Sequence, residues 1–193
     1  MKAKAASHIP GEAGLWILIF GEMTFFAALF ASYLLARGGD PAGFAAGQAE
    51  LSRAIGLANT LLLLTSSLFV ALGVAAVKAG AKAGDVRLAP RLFAAGLACG
   101  LGFIAFKAIE YGTLFAHGIA IDSHPYFAYY FGLTALHLGH VLIGCGLLAA
   151  LTRASRKPLV KASHLALTES AGCFWHMVDL LWIVLFPLLY LVG

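Results

Sequence analysis

Five long apolar blocks divide this chain, and their length limits the folds that it can adopt. Each block reaches or exceeds the ~20 residues that an α-helix needs to cross ~30 Å of hydrocarbon. Lipid offers the backbone no hydrogen-bond partners, so such blocks must form helices. The sequence therefore predicts an all-α integral membrane protein, a five-transmembrane-helix bundle forming one domain over 1–193, with helices at roughly 14–36, 54–77, 92–115, 125–151 and 168–192.

Composition supports a membrane location, although two blocks have an alternative interpretation. Only 11% of the residues are charged, against about a quarter in soluble domains. The first block follows two lysines like a signal peptide, but its apolar run exceeds the usual length of about 7–15 residues and contains Glu22. We expect a retained helix there. For the third block, which contains Lys107 and Glu110, a helix in a soluble core is the alternative.

Basic residues predict the orientation, because short basic loops stay in the cytoplasm. Ten of the 13 Lys and Arg residues fall on the side of the N-terminus, and only Arg37 and Arg53 fall on the other side. The N-terminus is thus expected in the cytoplasm and the C-terminus outside. The net charge of +4 reflects this topology and predicts no nucleic-acid partner. The ten are Lys2, Lys4, Lys78, Lys82, Arg87, Arg91, Arg153, Arg156, Lys157 and Lys161.

The connections contain few structural signals. The outer connection 37–53 is interrupted by glycines and Pro41, and its second half, from about Phe44, fits a short interfacial helix. Pro90 suits a helix start, and Pro187 is expected to kink the last helix. Cys99, Cys145 and Cys173 lie inside predicted helices without CxxC spacing, which favours packing over disulfides or metal binding.

Ionisable residues inside the first and third blocks are candidate functional groups, because such groups are costly at membrane depth. Glu22 fits either a proton-handling or lipid-contacting site or a carboxyl bonded to a neighbouring helix. Lys107 and Glu110 are three residues apart on one helical face and fit an ion pair, with Lys107 near the outer end, where it could snorkel toward water.

Histidines on the predicted fourth and fifth helices fit either a metal or proton-relay site or structural contacts between helices. His137 and His140 share a face near the middle of the fourth helix, and His176 lies on the fifth. Three histidines can ligate a metal or relay protons. Histidines that bond helices together are the favoured interpretation, because no Cys/His cluster or HExxH pattern accompanies them.

The fifth helix has a stripe of polar residues. Glu169, Cys173, His176 and Asp179 follow one another at steps of four, three and three residues, which places them on one face. We expect this stripe to face Glu22, because both lie toward the cytoplasmic half. No Walker loop, nucleophile elbow, CxxCH haem attachment or inverted repeat is present in the sequence.

At these residues the chain resembles a known family. The segments LWILIFGEMTFFAALFASYL, NTLLLLTSSLFVAL, FKAIEYG, YYFGLTALHLGHVLIG and ESAGCFWHMVDLLWIVLFPLLY are similar to subunit III of the haem-copper oxidases in a short five-helix form. The ending MVDLLWIVLFPLLYLV is most similar to the nitric-oxide-reductase accessory branch (NorE-like). Glu22 matches the family's buried carboxylate. The other matching positions are Glu110 with Tyr111, His137 with His140, Glu169, and His176 with Asp179.

The resemblance implies a non-catalytic subunit that has no cofactor of its own, in the bacterial inner membrane. Its expected partners are the catalytic large subunit of a haem-copper oxidase or nitric oxide reductase, which would hold the haem and the copper or iron, and membrane lipids, including bound phospholipid. The expected role is to support assembly, stability and sustained turnover in electron transport. We expect no counterpart of the two extra N-terminal helices of seven-helix members, so their lipid cleft is not expected in the same form.

Two other hypotheses remain open. The chain could be an independent conductor of protons or a small ligand, using Glu22, Glu169, His176 and Asp179. Alternatively, it could hold a metal or haem through His137, His140 and His176.

Overall fold

A computed structural model describes residues 13–83, 88–156 and 162–192 of the chain. These residues are helical apart from short connections, and five helices are long and apolar enough to cross a membrane. The predicted all-α class and the five spans are thus confirmed. The helices are α1 (Ala13–Gly39), α2 (Pro41–Ala49), α3 (Arg53–Ala83), α4 (Leu88–Ala116), α5 (Pro125–Ala154) and α6 (Ala162–Phe186), and a π-helical segment (Pro187–Leu191) follows α6.

Several helices extend past the predicted apolar blocks. The third helix of the chain runs to Ala83, beyond the expected end at 77, and α4 begins at Leu88, before the expected start at 92. Hydropathy detects only the part of a helix that lies in hydrocarbon, whereas the backbone ladder continues through the polar interface. Pro90 consequently lies within the first turn of α4, where its missing N–H breaks no bond.

The outer connection forms a complete short helix. Asp40 caps α2 by accepting a hydrogen bond from the Gly43 N–H at 3.0 Å, and Pro41 occupies the first turn. The helix therefore starts three residues before the expected position near Phe44. His124 caps α5 in a similar way, accepting from the Tyr126 N–H through Nδ1 at 3.1 Å, and Nε2 lies 3.1 Å from Asp40 Oδ2. A hydrogen bond from His124 Nε2 to Asp40 thus ties the starts of two helices together.

Helix α4 ends in a turn that requires glycine. Gly118 has a φ of 76°, which residues with a Cβ rarely adopt. The Ile119 N–H donates to the Leu114 carbonyl at 3.0 Å and the Gly118 N–H donates to the Phe115 carbonyl at 3.0 Å, as in a Schellman motif.

Four helices form the core. The third to sixth helices contact one another in a closed ring, α3 to α4 to α5 to α6 and back to α3, while α1 lies outside against α5 and α6. In the most apolar window of the span that contains α6, 56% is buried inside the protein, against 6% in the corresponding window of α1. The last spanning helix is therefore central, and the first presents most of its surface outward.

The end of α6 changes geometry at Pro187. The segment Pro187–Leu191 is π-helical, and the Val192 N–H donates to the Pro187 carbonyl at 3.0 Å. Proline has no N–H to continue the α-helical ladder, so a change of helix type here is physically reasonable. The sequence predicted a kink at this proline; what the structure shows is a change from α- to π-helix.

Close packing around Trp175 depends on glycine. The indole of Trp175 is fully buried on α6 between α4 and α5. A Cβ added to Gly144 would lie 2.6 Å from its Cζ3, and one added to Gly100 would lie 2.8 Å from its Cη2. Helices α4 and α5 can approach α6 at this depth because both have a glycine at the contact.

We predict that Gly144→Ala destabilises the bundle by about 1–3 kcal/mol, because the rigid indole must move to admit the methyl group. Thermal unfolding in mild detergent measures the effect. Gly139→Ala is the matched control, since a Cβ there meets nothing within 4 Å. Equal stability of the two variants would contradict the packing described.

A pH effect is expected at the start of α2. The Gly43 N–H and His124 hold the pKa of Asp40 below its usual range. The stabilisation from ionised Asp40 is therefore present above the ordinary carboxyl pKa of about 4 and is lost as the pH falls through the lowered value. Asp40→Asn keeps a capping oxygen but no charge. The stability difference between wild type and this variant should shrink on acidification below about pH 4, and a difference independent of pH would argue against it.

Candidate functional site

A buried ionic cluster joins α4, α5 and the π-helical segment. Lys107 Nζ lies 2.7 Å from Glu110 Oε2 and donates to the hydroxyls of Tyr130 at 2.9 Å and Tyr190 at 3.2 Å. The Tyr190 hydroxyl in turn donates to Glu110 Oε2 at 2.8 Å. We call these four residues the lysine cluster. In this cluster the positive charge of Lys107 is balanced by Glu110, and the hydrogen bonds link α4, α5 and the π-helical segment.

The location of Lys107 corrects one expectation. The sequence suggested that this lysine snorkels toward water, but its side chain is 0% exposed. The ammonium instead lies 4.7 Å from the ring centroid of Tyr130 and 5.0 Å from that of Tyr111. Aromatic faces attract cations, and these rings together with the hydroxyls provide the surroundings that water would otherwise supply.

A second ionisable pair joins α1 to α5. His140 Nε2 lies 3.2 Å from Glu22 Oε2, and His140 Nδ1 lies 2.9 Å from the Leu136 carbonyl oxygen. A carbonyl can only accept, so Nδ1 carries hydrogen. A bond between Nε2 and Oε2 then requires one further proton, either on the imidazole or on the carboxyl. The pair can therefore hold a proton at a partly exposed position within the spanning region.

The two histidines of α5 have different surroundings. His137 is completely buried, with its ring 5.2 Å from Trp182 and 5.6 Å from Phe103. Neither of its ring nitrogens has a hydrogen-bond partner among the described residues. Because the two histidines are three residues apart on α5, His137 lies against α4 and α6, and His140 lies against α1.

The polar stripe of α6 faces α3. Glu169 Oε1 lies 2.8 Å from Lys78 Nζ, and His176 Nδ1 lies 2.7 Å from Ser67 Oγ. Asp179 is buried, with Oδ2 3.9 Å from His176 Nδ1. The expectation that this stripe faces Glu22 is wrong, because α1 packs on the other side of α6 and Glu22 pairs with α5. Cys173, the stripe's fourth member, is a half-buried free thiol, and Cys99 and Cys145 are also free.

Several partners could not be singled out from the sequence. Ser67, Tyr130 and Tyr190 complete the polar groups, yet each lies in an apolar segment without a charged neighbour in the chain. A serine within a leucine-rich helix is the only signal for Ser67. Within the described residues, no three His, Cys, Asp or Glu side chains come together as a metal site would require. The proposed ligands His137, His140 and His176 instead contact different neighbours.

The bundle and its polar groups define a class of protein. It is a multi-pass α-helical membrane protein in which ionisable side chains at membrane depth lie at contacts between helices.

Comparison with known proteins identifies the family. The family model for cytochrome c oxidase subunit III matches residues 6–193. A cytochrome c oxidase subunit 3 of Corynebacterium diphtheriae is 32% identical over 97% of this chain and 92% of its own length, and one of Synechocystis is 30% identical over 97% and 83%. A probable cytochrome c oxidase subunit 3 of Mycobacterium tuberculosis is 32% identical over 94% and 87%. The chain belongs to the cytochrome c oxidase subunit III family.

We predict that Lys107→Met destabilises the protein by about 3–5 kcal/mol, because the substitution leaves the buried Glu110 without its counter-charge. The double variant Lys107→Met/Glu110→Met should recover most of this loss, since replacing both members of a buried pair with apolar residues is often neutral. Unfolding of Lys107→Met, Glu110→Met and the double variant in detergent gives the coupling energy. Additive losses would show that the pair does not act as a unit.

Proposed function

We propose that this chain is a non-catalytic accessory subunit of a respiratory haem-copper-superfamily complex. It binds the catalytic large subunit and supports assembly, stability and sustained turnover in electron transport. The family match over nearly the whole chain carries this proposal. It is supported by three ionisable pairs, Glu22 with His140, Lys107 with Glu110 and Lys78 with Glu169, whose members bond to each other within the chain.

The proposed location is the bacterial inner membrane, with the N-terminus in the cytoplasm and the C-terminus outside. The odd number of candidate spans in the described residues favours opposite sides for the two ends, and the basic residues favour the cytoplasm for the N-terminus. In this role the haem and the copper or iron belong to the catalytic partner. Phospholipid is proposed as a further ligand of the outward apolar faces.

The branch of the superfamily has two candidates. The relatives named above are cytochrome c oxidase subunits, which favours an oxygen-reducing partner. The ending MVDLLWIVLFPLLYLV favours the nitric oxide reductase branch. Affinity purification of the tagged chain from its own membranes, followed by mass spectrometry, distinguishes them by the large subunit recovered. Recovery of this chain alone, under conditions that preserve other complexes, would overturn the accessory role.

The Glu22–His140 pair supports a second candidate, an independent proton conductor, because its geometry holds a proton within the spanning region. The purified chain in sealed vesicles with an internal pH dye tests this directly. A pH-driven flux that Glu22→Gln abolishes would favour conduction. The accessory role predicts no flux above that of empty vesicles.

We predict that Glu22→Ala lowers the yield of the complex, or shortens its active life during turnover, by roughly threefold, because one interhelical hydrogen bond that fixes α1 is lost. The haem spectrum of the partner should stay unchanged. Thr24→Val is the control, since the Thr24 hydroxyl bonds only to its own helix at the Phe20 carbonyl. Loss of haem in the Glu22 variant would contradict an accessory role.

A further inference from the structure

One polar group lies open on the membrane-facing surface of the ring, in the groove between α3 and α6. It consists of Ser67, His176 and Asp179, which we call the α3–α6 patch. His176 lies eleven residues beyond Leu165, the start of its span, and Ser67 lies fourteen beyond Arg53. At ~1.5 Å per residue these positions are about 17 and 21 Å along their helices, near the middle of a ~30 Å hydrocarbon layer.

Exposure distinguishes His176 from the other ionisable residues at this depth. Its side chain is 41% exposed, whereas those of Lys107, Glu110 and His137 are buried. Glu22 and His140 are partly exposed but face each other. His176 Nδ1 is taken by Ser67, and Nε2 has no partner among the described residues. An open imidazole nitrogen in hydrocarbon is costly.

The chemistry of the open nitrogen follows from Asp179. The carboxylate lies on the Nδ1 side of the ring, 3.9 Å away, and neither of its oxygens has a hydrogen-bond donor in the described part of the chain. A carboxyl oxygen beside Nδ1 favours hydrogen on that atom, and in a neutral imidazole the lone pair then sits on Nε2. The patch thus presents a hydrogen-bond acceptor beside a buried carboxyl group.

Apolar side chains surround this acceptor. Leu64, Leu68 and Leu72 line the outward face of α3, and Leu180 and Ile183 follow His176 at one and two turns on α6. All five are exposed in the isolated chain. A single polar group inside an apolar surface is the arrangement by which membrane helices recognise each other, through packing plus one interhelical hydrogen bond.

Depth decides what can occupy the patch. Lipid tails offer no donor, and headgroups and bulk water are on the order of 15 Å away from the middle of the layer. We propose that the α3–α6 patch is the docking site for a transmembrane helix of the catalytic subunit, which donates a hydrogen bond to His176 Nε2. This inference rests on the proposed accessory role and adds to it the face and the contact atom.

Site-directed photocrosslinking in native membranes tests the face. A benzophenone amino acid replaces Leu180 in the patch or, as the matched control, Leu136 at similar depth on α5, across the ring from α3. His176 is intact in both variants, so the result does not depend on how its substitution folds. We expect the large subunit to be captured from position 180 and not from 136.

Substitution tests the contact atom. His176→Leu should lower recovery of the large subunit about threefold to tenfold, as expected for one interhelical hydrogen bond. His176→Gln, whose amide oxygen can accept, should restore recovery to within about twofold. Unfolding temperature and detergent elution volume report whether each variant keeps its fold.

The outcomes separate the two proposals. Capture from 136 only, capture of a second copy of this chain at 180, or full recovery with a folded His176→Leu would each overturn the docking site while the accessory role stands. Failure of the intact chain to recover any large subunit would overturn the accessory role and the docking site with it.

Discussion

Hydrocarbon offers no hydrogen bonds, and this constraint explains why the ion pairs of the described bundle lie at contacts between helices. Lys107 is the extreme case, because its ammonium is fully buried and depends on one carboxylate and two phenol hydroxyls. Those partners come from three separate parts of the chain. Satisfying one charge thereby fixes the relative positions of α4, α5 and the π-helical segment.

Steric fit adds a second level of order to the ring. Glycines at Gly100 and Gly144 admit the buried indole of Trp175, and Trp182 packs edge-on against Phe103 at 4.8 Å. The Trp182 indole also donates to Thr60 on α3 at 3.0 Å. Large aromatic groups on α6 thus pack closely against α3, α4 and α5, and the span that contains α6 is the most buried of the five. In contrast, α1 is held mainly through its contact with α5 and α6.

Hydropathy was sufficient to predict the number and approximate positions of the spans, because crossing a bilayer requires a minimum run of apolar residues. Helical periodicity also predicted the local pair of Lys107 and Glu110. It could not predict that Tyr190 joins them, since that contact spans the bundle. The expected facing of Glu22 toward the stripe of α6 failed for the same reason. Periodicity gives the face of a helix, but neighbours are set by packing of the whole ring.

The residues of the lysine cluster are synthesised at different times. Tyr190 follows Lys107 by 83 residues, and ribosomes add about 5–20 residues per second. Roughly 4 to 17 seconds therefore separate the synthesis of the ammonium from that of its last phenol partner. During this interval α4 carries a charge pair that is only partly compensated. The cluster is therefore complete only after α6 and the π-helical segment have been made.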